Sequence, residues 1–287
     1  MLGIEKLLHA PMRPGNAKET PHEGAAAIPT QMRIWPTYWI APHVHVRNTQ
    51  DGCVVLDLAR DKYVGLSKDE SMLLAATVYE WPAALWQVAG ESRTDTSSRS
   101  WALCESLLED GLLCESPPAN ACSRHAPEMD LQADWVCLGD EIELPSLVTV
   151  RDVANFVLAF VAAWASLRFG RLERTVDAIR RSRDCARHGD SSMTALQEAS
   201  EPMEILRMAR AVDIFRRLRT FVFAAEGRCL LHALALIKFM GRYHLHPRWV
   251  IGISTQPWGA HSWVQWQKFL LDTTPEKVGR YLPILVV

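Results

Sequence analysis

The sequence predicts an α+β protein with two modules. Its 287 residues are more than one small domain needs and leave room for two separate cores. In the first module, short apolar or alternating segments come first and helical periodicity follows. In the second, long helical patterns come first and β-branched segments follow. Strands and helices that are grouped in this way, without strict alternation, are typical of the α+β class.

The composition favours a cytoplasmic protein without a nucleic-acid or membrane partner. The formal net charge is -2, so no strongly basic or acidic surface is predicted. The most apolar run, residues 153–169, is interrupted by polar side chains and falls short of the ~20 residues that span a bilayer, which indicates a core helix. The seven cysteines show no paired short spacing and no secretion signal is recognisable, so we expect free thiols in a reducing cytosol.

Four segments are predicted along the chain. Residues 1–32 are rich in proline and glycine and show no sustained period, as expected of a mobile extension. Residues 33–115 form the N-terminal module. Residues 116–134 contain several prolines and are the predicted linker. Residues 135–287 form the C-terminal domain.

The N-terminal module is predicted to be a three-stranded antiparallel sheet followed by helices. Its strands cover residues 43–48, 53–58 and 62–66. Ser67, with Glu70 three residues later, is typical of a capping box at the start of a helix. A further helix is expected over residues 101–113, ended by Gly111.

The C-terminal domain is predicted to be a helical layer followed by a small antiparallel sheet. Thr149 and Asp152 form a second capping box, and the apolar stripe behind it predicts one helix to about residue 183. The next helix has an arginine-rich face, which we interpret as solvated surface. A third helix begins at Cys229 and ends at Gly241. Three strands complete the domain, over residues 248–254, 260–267 and 269–273.

Cys229, His261 and Asp272 are the candidate catalytic residues. A thiol at the start of a helix lies beside unpaired N–H groups, which favour the thiolate. A two- or four-residue turn near residues 267–268 would set Trp263 opposite Asp272 and put His261 and Asp272 on one face, whereas a three-residue loop would separate them. On a shared face, the three residues have the order and roles of a Cys-His-Asp triad for acyl transfer.

Each of these residues also has a simpler interpretation. A cysteine in an apolar helix is usually a small core residue, a strand histidine is usually structural, and an aspartate near a turn usually caps it. The order of the three residues and the position of Cys229 at a helix start favour the functional interpretation.

Four short motifs carry a resemblance to a known family. They are Gly-Arg-Cys229-Leu-Leu-His-Ala-Leu, Trp-Val-Ile-Gly-Ile253, Ala-His261-Ser-Trp-Val and Leu-Asp272. Together they resemble the transglutaminase-like leader peptidase, or B protein, of lasso peptide biosynthesis, in which alanine and glutamate are usual at the positions of Ser262 and Gln265. The resemblance implies a papain- or transglutaminase-like fold, no cofactor, and cysteine-dependent cleavage of a precursor after its leader. It also implies a partner, an asparagine-synthetase-like macrolactam synthetase, which joins the exposed amine to an Asp or Glu side chain.

The N-terminal module resembles the PqqD-like RiPP recognition element, a winged-helix-like domain that binds the leader peptide of a precursor. In that family the leader adds as a strand beside the third β-strand and packs against the last helix, which correspond here to residues 62–66 and 101–113. An edge strand and an adjacent apolar helix face suit this mode of binding. The candidate contact residues, each of which also suits the core, are Tyr63, Val64, Leu66, Leu103 and Leu107.

Three other functions remain open. A metal site would need more ligands than Cys229 with His232, or His244 with His246, and no metal-binding motif completes either pair. A cysteine acyltransferase or amidase would use the same triad with another acceptor. A winged-helix nucleic-acid binder is disfavoured by the near-neutral chain and by residues 101–113, which contain no Lys or Arg.

Overall fold

The computed structural model of the chain describes residues 38–82, 93–118, 135–138, 147–190, 197–222 and 228–287. These residues form an α+β fold with seven helices and three β-sheets. The predicted extension over residues 1–32 lies outside the described residues, as does most of the predicted linker. The domain boundaries at these segments therefore stay predictions.

Two small sheets and two helices make up the N-terminal part. Its elements are β1 (Tyr38–Ile40), β2 (Val44–Thr49), β3 (Gly52–Asp57), β4 (Lys62–Ser67), α1 (Lys68–Ala75), β5 (Val78–Tyr79), α2 (Arg93–Glu109) and β6 (Leu113–Cys114). Strands β2, β3 and β4 form an antiparallel sheet in that order, which confirms the three predicted strands and leaves β4 at an edge. The second sheet, with the order β5-β1-β6, was not predicted.

Helix α2 is longer than predicted. It begins at Arg93, well before the expected start at residue 101. The prediction started too late because residues 93–100 contain no apolar side chain from which a helical period could be read. It ends after Glu109, where Gly111 has a φ of 65°. Glycine adopts this left-handed conformation without steric cost, so the predicted stop signal is confirmed.

A helical layer and a five-stranded sheet make up the C-terminal part. Its elements are β7 (Val136–Cys137), α3 (Val150–Phe169), α4 (Leu172–Asp190), α5 (Gln197–Arg219), α6 (Cys229–Gly241), β8 (Arg248–Thr255), β9 (Trp258–Trp266), β10 (Phe269–Leu270), α7 (Pro275–Val278) and β11 (Leu282–Val286). The strand order is β11-β8-β9-β10-β7, and β10 pairs with β7 in parallel. The order of helices before strands is as predicted, whereas β7 and β11 were not expected.

The long helix that was predicted to reach about residue 183 is two helices. Helix α3 ends at Phe169 and α4 begins at Leu172. The N–H of Gly170 bonds to the carbonyl of Ser166, and a Cβ atom at Gly170 would lie 2.4 Å from that carbonyl oxygen. The prediction was wrong because buried apolar residues continue at Leu172, on the far side of the break, so the apolar pattern hides it.

Both predicted capping boxes are present. The N–H of Glu70 donates to Oγ of Ser67 at the start of α1, and Oε2 of Glu70 accepts from the N–H of Ser67 at 2.8 Å. At the start of α3, Oδ2 of Asp152 accepts from the N–H of Thr149 at 2.9 Å, and Thr149 Oγ1 accepts in return. Each box satisfies first-turn N–H groups that would otherwise lack a partner.

Strand β3 contributes to two hydrophobic cores. Successive side chains of a strand point to opposite faces. Val54 and Leu56 lie in a large core together with residues of α3, α5, α6 and β8, whereas Cys53 and Val55 lie in a smaller core with residues of α1 and α2. The N-terminal sheet is therefore packed between its own helices and the C-terminal part.

Helix α3 has two apolar faces. Phe156 and Ala159 are buried in the large core, whereas Val150 and Val157 are 87% and 50% exposed. The expectation of a core helix is thus confirmed for one face only. In the part of the chain that the structure describes, α3 is the one helix long and apolar enough to cross a membrane, and 22% of its apolar window is buried. A single helix of this kind is weak evidence for a membrane span.

Candidate active site

Cys229 is the first residue of α6, as predicted. Arg228, which precedes it, makes no side-chain hydrogen bond to the helix, so the first-turn N–H groups keep their positive potential at this end. Cys229 is partly exposed, whereas Leu231, Ala233 and Leu234 bury the following turn in the large core. The core thus holds the helix while its first residue faces a more open region.

The hairpin that carries the other two candidates has the predicted register. Gln265 pairs with Leu270, so the turn consists of the two residues 267–268. Continued by two residues, this register would set Trp263 opposite Asp272, as expected. The paired strand ends at Leu270, however, and the chain bends before it reaches the aspartate.

Asp272 is held by two contacts, one to β9 and one to α6. Its Oδ1 accepts a hydrogen bond from the N–H of Val264 at 2.9 Å. Its Oδ2 lies 3.5 Å from Nδ1 of His232, a residue of α6, and the aspartate side chain is only 4% exposed. A carboxylate this deeply buried needs such donors, because burial disfavours its charged form.

The side chain of His261 lies on the face of the sheet opposite to the face that packs against α6. Because side chains alternate along β9, His261 shares a face with Trp263, which belongs to a third small core with Val278 of α7. Val264, on the opposite face, packs in the large core with α6. The rings of His261 and Tyr281 are 5.2 Å apart, and the buried Nε2 of His261 has no hydrogen-bond partner. Between Asp272 and His261, both of which the structure describes, there is no hydrogen bond.

Burial and nearby charge keep the imidazole of His261 neutral. Burial, together with the positive charge of Lys277 and the neighbouring His232, lowers the pKa of His261 to about 4, and the carboxylate of Asp272 opposes this shift. At neutral pH the ring therefore carries one proton and has one free nitrogen. This is the protonation state in which an imidazole accepts a proton from a thiol.

The depressed pKa of His261 predicts a loss of stability in mild acid. The imidazole takes up a proton in the unfolded chain near pH 6.5 but in the folded protein only near pH 4. Its contribution is therefore complete above pH 6.5 and is lost as the pH falls toward 4. We expect the free energy of unfolding of the wild type to fall by about 2 kcal/mol more than that of His261→Gln between pH 7 and pH 5. Urea denaturation at both pH values measures this difference, and equal losses in the two proteins would contradict it.

His232 is the residue that the sequence analysis did not place in the site. It lies one helical turn after Cys229, its Nδ1 faces Asp272, and its Nε2 lies 2.9 Å from Nη1 of Arg219 at the end of α5. The available signal was the i, i+3 spacing from Cys229, which puts both side chains on one side of a helix. We had considered this spacing only for a metal site, and no group of three His, Cys, Asp and Glu residues among the described residues is arranged to hold a metal ion.

Four of the five candidate leader contacts pack in the small core of the N-terminal part. Leu66 and Leu107 are buried there, with exposed fractions of 7% and 6%, and Val64 and Leu103 are partly buried against it. The two partly exposed residues are therefore the ones that a peptide beside β4 would still be able to reach.

Tyr63, the fifth candidate, packs against the large core instead. It is on the opposite face of β4 from Val64, and its ring contacts the ring of Trp258 edge-on with 5.8 Å between centroids. Burial raises the pKa of Tyr63, and the charges of Asp61 and Cys229 raise it further. The strand that was predicted to bind the leader thus also contributes a protonated phenol to the surroundings of Cys229.

Comparison with known families matches one segment of the chain. Residues 156–286 match the transglutaminase-like superfamily. Members of this superfamily are typically cysteine-based enzymes, which supports protease- or acyltransferase-type activity. The transglutaminase-like segment contains Cys229, His261 and Asp272 as well as His232. No curated protein and no solved structure matched the chain.

Proposed function

We propose that the protein is a cysteine peptidase that removes the leader from a lasso peptide precursor. The observation that carries the proposal is the position of Cys229, which opens a buried helix within the transglutaminase-like segment, with Asp272 held against the same helix. A thiol at such a position is suited to attack a carbonyl carbon. The resemblance of the four motifs around these residues to the lasso B protein supports the choice of substrate.

In the proposed reaction, Sγ of Cys229 attacks the carbonyl of the peptide bond between leader and core. The thiol proton passes to a neutral imidazole and then to the departing amine of the core peptide. The resemblance assigns this role to His261, whose ring would have to turn toward Cys229 from the sheet face opposite α6. The leader remains as a thioester on Cys229 until water hydrolyses it. The N–H groups at the start of α6 supply positive potential to the oxyanion. The released amine is the group that the proposed partner, an asparagine-synthetase-like macrolactam synthetase, would join to an acidic side chain.

We propose that the N-terminal part binds the leader as a PqqD-like, winged-helix-like recognition element. The edge position of β4 supports this role, because an extended peptide can pair with the free backbone groups of an edge strand. Val64 on β4 and Leu103 on α2 remain partly exposed, and both pack against the same small core. Tyr63 connects the same strand with the surroundings of the thiol, so a bound leader would end near the site of cleavage.

The test first asks whether a short precursor gene and an asparagine-synthetase-like gene lie beside this one, and then incubates the full chain with the peptide that the short gene encodes. We expect mass spectrometry to show one cut, between leader and core. Hydroxylamine in the same mixture distinguishes the alternative of a cysteine acyltransferase, which prefers an amine acceptor to water. A hydroxamate product in preference to the free acid would favour that alternative, and an intact precursor in both mixtures would contradict the peptidase.

Recognition by the N-terminal part predicts a loss of affinity in Leu103→Ser. This change removes an apolar contact from the face of α2 without emptying the centre of the small core, because Leu103 is only partly buried. We expect binding of a fluorescein-labelled leader to weaken about tenfold, as for a moderately important interface residue. The matched control is Val157→Ser, which changes an exposed apolar residue on α3. Equal affinities of the two variants in fluorescence anisotropy would rule out this contact.

A further inference from the structure

Both oxygens of the Asp272 carboxylate are engaged by groups other than the predicted base. Oδ1 accepts from the N–H of Val264, and Oδ2 faces Nδ1 of His232 at 3.5 Å. His232 lies on α6, the helix that Cys229 opens, and its side chain is 15% exposed. The aspartate is therefore positioned by the nucleophile's own helix.

Arg219 determines which nitrogen of His232 carries the proton. An arginine guanidinium has only donors and stays charged. Because its Nη1 lies 2.9 Å from Nε2 of His232, that nitrogen must be the acceptor. The proton of the neutral ring then resides on Nδ1, the nitrogen that faces Asp272. The three side chains thus form a chain of donors from guanidinium to imidazole to carboxylate.

The surroundings of His232 restrict its movement. The ring of Phe215 contacts the imidazole edge-on, with 5.4 Å between ring centroids. Phe215 is itself 1% exposed and belongs to the large core. The imidazole is held in place by this ring and by polar partners at both nitrogens, so neither nitrogen is oriented to take up the proton of a substrate or of the thiol.

We propose that His232 is a positioning residue, fixed by Arg219, that holds Asp272 as a carboxylate beside the helix of Cys229. The proposal rests on the proposed function, since it assigns a role within that active site. Asp272 in turn acts through its charge, which favours the protonated form of His261 and thereby the thiolate of Cys229. Without the donor at position 232, the buried carboxylate would lose one of its two partners and turn away from α6.

The test compares His232→Leu with His232→Asn. The amide nitrogen of Asn can replace Nδ1 as a donor to Asp272, whereas Leu cannot. We expect kcat/KM for precursor cleavage to fall at least about 30-fold in His232→Leu and no more than about threefold in His232→Asn, because the polar contact to the carboxylate is lost in the first variant and retained in the second. Equal and severe losses in both variants would overturn the positioning role, because they would show that the imidazole itself transfers a proton. No loss in His232→Leu would overturn it as well.

A second measurement needs no substrate. Iodoacetamide alkylation of Cys229, followed by peptide mass spectrometry at a series of pH values, reports the midpoint at which the thiol becomes reactive. We expect this midpoint to rise by roughly one pH unit in His232→Leu and to stay within about 0.3 pH units of the wild-type value in His232→Asn. A role limited to packing would leave the midpoint unchanged in both variants, and that result would contradict the proposal. If the wild type fails to cleave the precursor, the proposed function fails while this measurement still decides the role of His232.

Arg219 supplies an independent variant in case His232→Leu does not fold. Arg219→Leu removes the donor that keeps the proton of His232 on Nδ1, but the imidazole itself remains. We therefore expect a smaller rise of the alkylation midpoint, about half a pH unit. The matched control is Arg217→Leu on the same helix, whose guanidinium pairs with Asp213 at 3.0 Å. A midpoint that is identical in the two arginine variants would contradict the assigned chain of donors.

Discussion

Replacing Cys229 by alanine is expected to abolish leader removal. The change deletes the atom that forms the thioester, and no other group of the site can take over this covalent step. The rate of precursor cleavage should fall by at least about 1,000-fold, as for the loss of a nucleophile from a catalytic triad. Mass spectrometry of the precursor after prolonged incubation measures the residual cleavage.

Binding of the leader should survive this change. Anisotropy of a labelled leader should give the same affinity for Cys229→Ala as for the wild type, because the proposed contacts beside β4 are unaltered. The control for the loss of a cysteine as such is Cys185→Ala, which removes an exposed thiol on α4. This change should leave cleavage unchanged. Cleavage that persists in Cys229→Ala, or that is lost in Cys185→Ala, would contradict the assignment of the nucleophile.

Replacing Leu56 by alanine is expected to destabilise the whole described fold. Leu56 is fully buried in β3, yet it packs in the large core of the C-terminal part. Removal of a leucine side chain from such a position costs about 2 to 5 kcal/mol, from lost burial and from the cavity left behind. Urea denaturation followed by tryptophan fluorescence and by circular dichroism should show one transition, shifted equally for both probes.

The control for this prediction is Leu158→Ala. Leu158 is 51% exposed on α3, so its truncation should change the free energy of unfolding by less than about 1 kcal/mol. Two separate transitions in Leu56→Ala, with only one of them shifted, would show that the N-terminal sheet and the large core unfold independently. That result would contradict the shared core.

Local chemistry made much of the fold predictable from sequence. Both capping boxes and the stop at Gly111 depend on residues within one turn of each other, and all three are present. The two-residue turn at residues 267–268 was one of the predicted alternatives. Features that depend on distant pairing were missed. Strand β7 is two residues long and gains its partner from β10, far along the chain, so no pattern within it signals a strand.

In the candidate site, too, the features that depend on local sequence were predicted and those that depend on distant contacts were missed. The position of Cys229 follows from the helix pattern alone, and the structure places it as expected. The direction of the Asp272 side chain does not follow from register, because the ladder ends before it and the bend turns the carboxylate toward His232. Alternation along β9 puts the ring of His261 on the sheet face opposite to α6. His261 and Asp272 therefore belong to one hairpin without contacting each other.

The double packing of β3 limits how the N-terminal part can be exchanged. Leu56 pairs with Tyr63 across β3 and β4 on the face toward the large core, and Val55 pairs with Val64 on the other. A recognition element transplanted from another protein would have to match the cavity around Leu56 as well as its own leader peptide. If the N-terminal part recognises the leader as proposed, an exchange of this part that is meant to change substrate preference must be accompanied by compatible residues in the core that supports the helix of Cys229.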